Sequence, residues 1–161
     1  WMNLSAKHKM VKPNYTGLNY DEINHFNLDN GKVTVDLISG EFEGEKGPIE
    51  SLSELTMASI RLQKDGKLTL NIPAENQVFF YLVKGELEVN GRSVNMRELV
   101  QFELEEGEIE VLTIEDAYIL FGHGKPFNEV VVSQGPFVMN TADEIRAAYQ
   151  DYREGKMGVW K

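Results

Sequence analysis

Residues 78–91, which read VFFYLVKGELEVNG, contain the pattern that decides the fold. Six apolar residues in a row, 78–83, predict a strand that is buried on both faces or that crosses the core of a barrel. Leu87 and Val89 then alternate with glutamates, as in a half-buried strand. Asn90-Gly91 is a preferred sequence of two-residue hairpin turns, because both positions accept positive φ. The stretch therefore predicts consecutive strands of a β domain.

Similar apolar segments recur on both sides of this stretch at an even spacing. They lie at residues 33–37, 56–62, 68–72, 99–104, 109–114 and 118–121. Between the second and the third of them, Lys64-Asp65-Gly66-Lys67 predicts a tight hairpin turn with positive φ at Gly66. Many short strands with turn residues between them are typical of a sandwich or a barrel. The predicted fold class is therefore all-β.

The end of the chain changes to a helical period. Thr141 and Glu144 have the spacing of a capping box. The apolar residues that follow are spaced at i, i+3, i+4 and i+7, as on one face of a helix. They are Ile145, Ala148, Tyr149 and Tyr152. Gly155 stands where a C-terminal cap is expected, so we predict one α-helix over about residues 141–154.

The start of the chain differs from the rest. Residues 1–18 are basic, contain Pro13 and show no period, so we predict an extended arm. Residues 19–161 are predicted to form the domain, which starts with one short helical turn capped by Asn19. The length of 161 residues lies within the usual range for one domain.

Composition and charge exclude several classes of protein. The 16 basic and 26 acidic residues give a formal charge of −10, so we expect no nucleic-acid partner. The basic cluster Lys7, His8, Lys9 and Lys12 is interpreted as a solvated part of the arm. The absence of cysteine excludes a disulfide scaffold and fits a reducing cytoplasm, which is the expected location. The chain lacks a run of about 18 apolar residues, so no membrane partner is expected.

Candidate metal ligands are few. His8, His25 and His123 lie far apart in the sequence, and none has a second histidine two to five residues away. Each is interpreted as a surface or hydrogen-bonded histidine rather than a ligand. A three-histidine site assembled in space stays open as an alternative, although His8 lies in the predicted arm.

Two further motifs have simple structural interpretations. Five glutamates crowd one predicted hairpin: Glu103, Glu105, Glu106, Glu108 and Glu110. They are interpreted as a solvated strand face that opposes edge pairing, because no Asn or Asp loop accompanies them. Gly122-His123-Gly124-Lys125 has the glycines and the lysine of a phosphate loop. It precedes Pro126 and opens no helix, so it is interpreted as a turn after a strand.

Several segments resemble a known family. Residues 80–89, FYLVKGELEV, resemble a strand pair of cupin barrels. Residues 124–129, GKPFNE, and residues 135–141, GPFVMNT, closely resemble the C-terminal barrel of the pirin family. So do Glu144-Ile145 and residues 152–158. The resemblance implies a cupin double-stranded β-helix, or jelly-roll barrel, with an N-terminal arm and one C-terminal helix.

The leader also resembles a part of pirins. Residues 1–4, WMNL, with Lys9-Met10 and residues 13–15, resemble the link between the two barrels of a pirin. Pirins are bicupins of about twice this length, and their metal, usually iron, lies in the N-terminal barrel. The resemblance therefore implies a linker and a C-terminal barrel without the metal-bearing half. Iron or another divalent metal is expected in the missing N-terminal barrel, and no cofactor is expected in this chain.

The metal-binding pattern of cupins is absent from the corresponding positions. Counting back from Gly85 places Val78 where the first cupin motif has its glutamate, and residues 71–74, NIPA, where it has its histidines. Counting on from Gly91 places Gln101-Phe102 where the second motif has its histidine. A metal site needs at least three converging donors. We therefore expect neither metal-binding nor catalytic residues in this chain.

Three functions follow from these observations. The first is a non-catalytic, structural or regulatory half that packs on a metal-bearing N-terminal cupin domain. The second is a part of a metal-dependent quercetin 2,3-dioxygenase-like enzyme whose activity lies in the absent barrel. The surface that faces that barrel should be partly apolar, so a homodimer through this surface, the leader or the terminal helix is also expected.

The third function is a small-ligand-binding barrel, because small barrels often hold a ligand in the mouth. Four aromatic residues are candidates for the lining of such a pocket: Phe79, Tyr81, Phe102 and Phe121. Packing in the core is the simpler interpretation of all four.

Overall fold

The computed structural model describes residues 2–103 and 107–158, which form two compact units. One unit comprises residues 15–126. The other combines residues 2–14 with residues 127–158. Each unit has its own β-sheet structure and its own buried side chains.

Antiparallel strands build the unit of residues 15–126. Along the chain they are β1 (Asn24–Leu28), β2 (Val33–Ser39), β3 (Glu41–Phe42), β4 (Glu45–Lys46), β5 (Thr56–Leu62), β6 (Lys67–Ile72), β7 (Gln77–Lys84), β8 (Leu87–Val89), β9 (Arg92–Val94), β10 (Leu99–Val100), β11 (Gly107–Thr113) and β12 (Ala117–Gly124). The larger sheet has the order β1-β2-β5-β12-β7-β10, and the smaller sheet has the order β6-β11-β8-β9. β3 and β4 form a separate short ribbon. Two 3₁₀ turns, Tyr20–Glu22 and Asp29–Gly31, flank β1.

The inward faces of the two sheets share one apolar core. Along β5 and β11 buried and more exposed residues alternate, as the period-two pattern predicts. Side chains without exposed surface lie at the centre of this core: Val33, Ile60, Phe80, Leu82, Leu87 and Ile119. Burial of each is worth about 1.5–3 kcal/mol. The all-β barrel that the sequence predicts is therefore confirmed.

Most of the predicted strands are confirmed with small shifts of their ends. Asn90 and Gly91 form the predicted two-residue hairpin between β8 and β9, with φ of 49° and 72°. The predicted turn before β1 is the 3₁₀ turn, in which the backbone N–H of Asn19 donates to the carboxylate of Glu22 at 2.7 Å. The segment predicted as a strand from residue 99 is described as β10 over two residues.

The hairpin predicted at residues 64–67 is wrong. β5 pairs with β2 and β12, whereas β6 pairs with β11, so the turn carries the chain from one sheet to the other. Asp65, rather than Gly66, adopts positive φ, at 60°. Gly66 is needed for space, because a Cβ there would lie 2.8 Å from the carbonyl oxygen of Gln63.

The strand over residues 78–83, predicted to be buried on both faces or to cross the core of a barrel, is buried on one face. In β7, Phe80 and Leu82 point into the core, and Phe79 and Val83 on the opposite face are 44% and 37% exposed. The apolar run therefore arises because inward core residues alternate with outward residues that are also apolar. The second face is therefore only partly buried in the described residues.

The second unit contains the helix. A hairpin of β13 (Val132–Gln134) and β14 (Phe137–Met139) precedes α1 (Ala142–Arg153), and a 3₁₀ turn, Ala6–His8, lies near the chain start. The predicted capping box is present, with Glu144 N–H donating to Thr141 Oγ1 at 3.2 Å. Ile145 and Ala148 are buried, but Tyr152 is 66% exposed. Within the described ranges, no helix combines the length and the apolar character needed to cross a bilayer.

Candidate functional site

A cavity of about 70 Å³ opens at one end of the barrel, and we call it the mouth cavity. Its walls include Val78 at the start of β7, Phe102 after β10, and Ile109 in β11. Asn76 contributes a polar wall from the turn between β6 and β7. The backbone N–H of Asn76 donates to the carbonyl of Pro73 at 2.9 Å, which fixes this turn. The cavity therefore combines apolar strand residues with one positioned amide.

The amide of Asn76 is bound to an inward-facing histidine. His123 pairs with Val78 in the register of β12 and β7, and its ring centroid lies 5.8 Å from that of Phe121. Asn76 Nδ2 donates to His123 Nδ1 at 2.9 Å. An amide nitrogen donates but does not accept, so the histidine proton is on Nε2. Burial lowers the pKa of His123, which favours the neutral imidazole that this bond requires.

The other end of the same amide has no partner. Asn76 Oδ1 is buried and accepts no hydrogen bond from any described residue. Leaving such an acceptor unsatisfied costs about 1–3 kcal/mol. The accessible surface of this oxygen is close to zero, so other atoms of Asn76 line the mouth cavity.

The rim of the mouth cavity is acidic. Glu103 and Glu108 contribute to its lining and are exposed. Glu110, from the same predicted cluster, is also exposed, and its backbone N–H donates to Asn90 Oδ1 at 2.8 Å. The other glutamates of the cluster, Glu105 and Glu106, and the neighbouring Leu104 lie outside the described residues. The described carboxylates therefore give the opening a negative charge.

An exposed ion pair lies on the turn beside the cavity. Lys125 Nζ is 3.0 Å from Glu75 Oε1. The pKa of Glu75 is lowered, first by a backbone hydrogen bond within its own residue and then by Lys125. An exposed pair of this kind contributes little to stability, about 0–1 kcal/mol. Lys125, from the motif that resembles a phosphate loop, is thus engaged by a carboxylate.

The residues of the barrel interior do not fit a metal ion. Among the described residues, no three His, Cys, Asp or Glu side chains are grouped so that they could hold one. His123 has Asn76 on Nδ1, and Val78 and Phe121 are close to it. His25 lies on another strand and another face, paired with Asp36. The interior positions around His123 therefore offer apolar carbon where a metal needs oxygen or nitrogen donors.

A second polar cluster lies on the outer face of the larger sheet, around the carboxylate of Asp36, which is 4% exposed. His25 Nδ1 lies 2.7 Å from Asp36 Oδ1, and Arg61 Nη2 donates to the same oxygen at 3.0 Å. Ser59 Oγ donates to Oδ2 at 3.2 Å. A hydrogen bond between Arg61 and the Tyr20 hydroxyl, followed by the charge of Asp36, raises the pKa of the guanidinium. Residues of the same unit provide these hydrogen bonds to the carboxylate, and the bonds connect β2 with β1 and β5.

The same outer face is apolar at its other edge. One row of paired residues crosses the sheet through Leu99, Tyr81, Leu120, Ser59, Asp36 and His25. The apolar end of this row is extended along β7 by Phe79 and Val83. We call the resulting set the apolar outer strip: Phe79, Tyr81, Val83, Leu99 and Leu120. Leu99 is its most exposed member, at 60%.

Comparison with known proteins assigns the chain to a family. The pirin C-terminal cupin domain matches residues 57–158, which is more than half of the chain. The chain belongs to the pirin family. It is 35% identical to a pirin-like protein of Solanum lycopersicum over 98% of its length, and 30% identical to pirin of Homo sapiens over all of it. It covers 55% and 58% of these two relatives.

A solved structure agrees with this assignment. The crystal structure of quercetin 2,3-dioxygenase from Acinetobacter baumannii superposes with a TM-score of 0.93 at 30% identity. The superposition covers 99% of this pirin-family chain and 56% of the Acinetobacter chain. The chain thus spans little more than half the length of the pirin relatives and of this structure.

The four aromatic residues predicted to line a pocket do not meet around one cavity in this pirin barrel. Phe102 lines the mouth cavity, and its ring packs edge-on against Phe80 at 6.2 Å between centroids. Phe121 is buried in the core, behind His123. Phe79 and Tyr81 belong to the apolar outer strip, because they alternate with the inward residues of β7. Ligand binding by any of them stays a prediction.

Two features of the site were missed in the sequence. The alternation of Ala117, Ile119 and Phe121 continues to His123, so the histidine could have been placed on the inner face of β12. Asp36 interrupts an otherwise apolar strand at an outward position, which could have indicated a paired carboxylate. Neither pattern identifies the hydrogen-bonding partner. Asn76, the partner of His123, lies in a turn, and Arg61, a partner of Asp36, lies in another strand.

Proposed function

We propose that this chain is the C-terminal cupin half of a pirin-type protein and serves as a structural or regulatory half that packs on a second barrel. The apolar outer strip carries this proposal. Phe79, Val83 and Leu99 are exposed and its other two members are half-buried, and contiguous exposed apolar surface is typical of an interface. The rest of each relative is nearly as long as the aligned part, which is enough chain for one more barrel.

The proposal assigns the chemistry to the other barrel. The interior of this barrel is filled by a closely packed apolar core, with Phe80, Leu82 and Ile119 at its centre. His123 is the inward imidazole at the mouth, and it is bound to Asn76. We therefore place iron or another divalent metal in the second barrel and assign no catalytic residue to this chain.

A quercetin dioxygenase-like activity of the parent protein is the second candidate. The name of the Acinetobacter structure favours it, because that protein matches this chain at a TM-score of 0.93. In this case the chain supports the metal-bearing half without contacting the reacting atoms. Oxygen uptake with quercetin is then expected from a two-barrel protein and not from this chain alone.

The packing surface is tested with a chimera in which this chain follows the N-terminal part of the Acinetobacter enzyme. Leu99→Glu places a charge in the apolar outer strip, whereas Leu112→Glu places one on the outer face of the smaller sheet, where Leu112 is also exposed. Urea unfolding measures both variants in the chimera and in the isolated chain. We expect Leu99→Glu to destabilise the chimera by about 2 kcal/mol or more and the isolated chain by much less, because burying an unpaired charge is costly.

The matched variant decides between a specific and a general effect. Leu112→Glu should have a small effect in both proteins, since surface substitutions usually stay within about 0.5 kcal/mol. Equal effects of the two variants in the chimera would contradict packing through the apolar outer strip.

A further inference from the structure

The outer face of the larger sheet is nearly free of acidic residues. Among the residues of its strands, β1, β2, β5, β7, β10 and β12, one is acidic, Asp36. That carboxylate is 4% exposed and is paired with Arg61. The smaller sheet differs, because its strands carry Glu88, Glu108 and Glu110, in a chain whose formal charge is −10. The strands of the larger sheet therefore present no exposed carboxylate.

Two basic side chains lie in one row on this face. The strand register pairs Tyr118 with Arg61 on one side and with Lys84 on the other. The charge of Arg61 is matched by Asp36, at 3.0 Å between Nη2 and Oδ1. Lys84 is exposed and forms no ion pair with any described residue. In the part of the face that the structure describes, Lys84 is thus the lysine whose charge is left unmatched.

Lys84 borders the apolar outer strip. It directly follows Val83, a member of the strip, and it is the last residue of β7. A surface that covers the strip therefore also reaches Lys84 and removes part of its hydration. The loss of water around a charged group is costly unless a group of opposite charge replaces it. A partner that is only apolar is therefore a poor fit to this face.

A carboxylate fits the position better than other groups. It has the opposite charge, and it accepts hydrogen bonds from the ammonium group. An acidic partner surface meets no exposed carboxylate on the strands of the larger sheet, whereas it is repelled by Glu108 and Glu110 on the smaller one. The charge pattern therefore favours the larger sheet as the side on which such a partner packs.

We propose that the surface that packs on the apolar outer strip carries a carboxylate that pairs with Lys84 Nζ. This inference rests on the proposed function, in which the covering surface belongs to the second barrel, and it adds the charge of that surface. The partner is then an apolar patch with an acidic residue at its border.

The chimera with the N-terminal part of the Acinetobacter enzyme tests the charge of the partner. Lys84→Glu reverses the charge at the border of the strip, and Lys84→Met keeps a side chain of similar length without the charge. Lys67→Glu is the matched control, because Lys67 is an exposed lysine of β6 on the outer face of the smaller sheet. Urea unfolding is measured for each variant in the chimera and in the isolated chain, at low and at high salt.

The two variants at position 84 have different expected effects. Lys84→Glu should raise the unfolding equilibrium constant of the chimera at least about tenfold more than that of the isolated chain, because like charges then face each other. High salt should reduce this difference. Lys84→Met should raise the constant of the chimera about threefold or more, because it leaves the carboxylate of the partner unpaired. Lys67→Glu should have the same small effect in both proteins.

Leu99→Glu separates this inference from the proposed function. If Leu99→Glu destabilises the chimera specifically while both Lys84 variants act equally in the chimera and in the isolated chain, the packing stands and the carboxylate is wrong. A chimera that is stabilised by Lys84→Met also overturns the inference, because the partner is then apolar or basic at this position. If all of these variants act equally in the two proteins, the packing itself is absent and both proposals are overturned.

Discussion

Leu99 and Asp36 lie in the same row of paired residues on the outer face of the larger sheet, with three strands between them. Leu99 is largely exposed, whereas Asp36 is almost completely buried. The difference arises because Tyr20, His25 and Arg61 cover the carboxylate and satisfy it. One half of this face is thus completed by its own unit, and the other half presents apolar side chains to solvent.

The exposed half predicts self-association of the isolated chain. An exposed apolar strip favours contact with other apolar surface. In a concentrated solution of the isolated chain, the same strip of a second copy is available for this contact. We expect sedimentation to show a dimer with a dissociation constant on the order of tens to hundreds of micromolar, as for a small and weak interface. Leu99→Lys should shift the equilibrium at least tenfold towards monomer.

The control for this prediction lies on α1, where Tyr152 is also exposed. Tyr152→Ser should leave the dimerisation constant unchanged. If Tyr152→Ser dissociates the dimer and Leu99→Lys does not, association runs through the helix instead. A chain that stays monomeric at millimolar concentration would rule out both surfaces.

The polar half of the face predicts a stability effect at Asp36. Asp36→Asn removes the charge that His25 and Arg61 share and turns one acceptor into a donor. We expect a loss of about 1–3 kcal/mol in the free energy of unfolding, measured in urea, because the cluster is then left with unmatched donors. Asp21→Asn, at an exposed position of the preceding turn, should change it by less than about 0.5 kcal/mol. Equal effects of the two variants would show that the cluster contributes nothing specific.

The strands of the barrel could be predicted from the sequence because period-two alternation is a local signal. β5 and β11 were located from alternation and turn residues alone, with ends within two residues. Two errors have one cause, since a local pattern does not identify the neighbouring strand. The turn at residues 64–67 joins two sheets, and the apolar run at residues 78–83 has a face that the described residues leave exposed.

The candidate site was less accessible to sequence reasoning. The contact of Asn76 with His123 joins positions 47 residues apart, and it depends on the pairing of β7 with β12. The alternation within β12 places His123 on an inward face, but it gives no information about the turn that contains Asn76. The comparison with the metal-ligand motif of cupins could be made in the sequence alone, because it depends on which residues occupy the motif and not on where they lie in space.

Metal ions should leave the stability of this chain unchanged. A metal present at 100 times its dissociation constant would stabilise the folded state by about 2.7 kcal/mol. In a chain of this length that corresponds to a rise in Tm of several degrees. We expect thermal unfolding with Fe²⁺ or Zn²⁺ to match that of a chelator-treated sample within about 1 °C. A clear rise would contradict the conclusion that the interior residues do not fit a metal ion, and it would make His123 and His25 the first positions to substitute.

Replacing Gly85, which follows β7, by alanine should cost much more stability than replacing Gly91, which lies between β8 and β9. Gly85 has φ of 95°, and a Cβ there would lie 2.6 Å from the carbonyl oxygen of Asp116. Gly91 has φ of 72° and no atom near its potential Cβ. Gly91→Ala should therefore cost about 1–2 kcal/mol for the backbone conformation alone, and Gly85→Ala at least about 3 kcal/mol. Urea unfolding measures both, and equal losses would show that the backbone near Asp116 moves aside.

The pH dependence of stability should report on His123. Burial lowers its pKa in the folded protein below the value of about 6.5 that an unfolded chain has. Between these two pKa values the unfolded state binds more protons, so stability rises with pH. The contribution of neutral His123 is therefore complete above about pH 7.5 and is lost as the pH falls through about 6.5 towards the lower, folded pKa.

His123→Gln isolates this contribution, because the variant keeps a polar partner for Asn76 and all other titratable groups. We expect wild type to lose more stability than the variant between pH 7.5 and pH 5, because only wild type must protonate a partly buried side chain at position 123. Urea unfolding at several pH values gives the difference between the two proteins. A difference that is constant with pH would mean that His123 is as accessible to protons as it is in the unfolded chain. A difference that grows in the opposite direction would place a stabilising negative partner beside it.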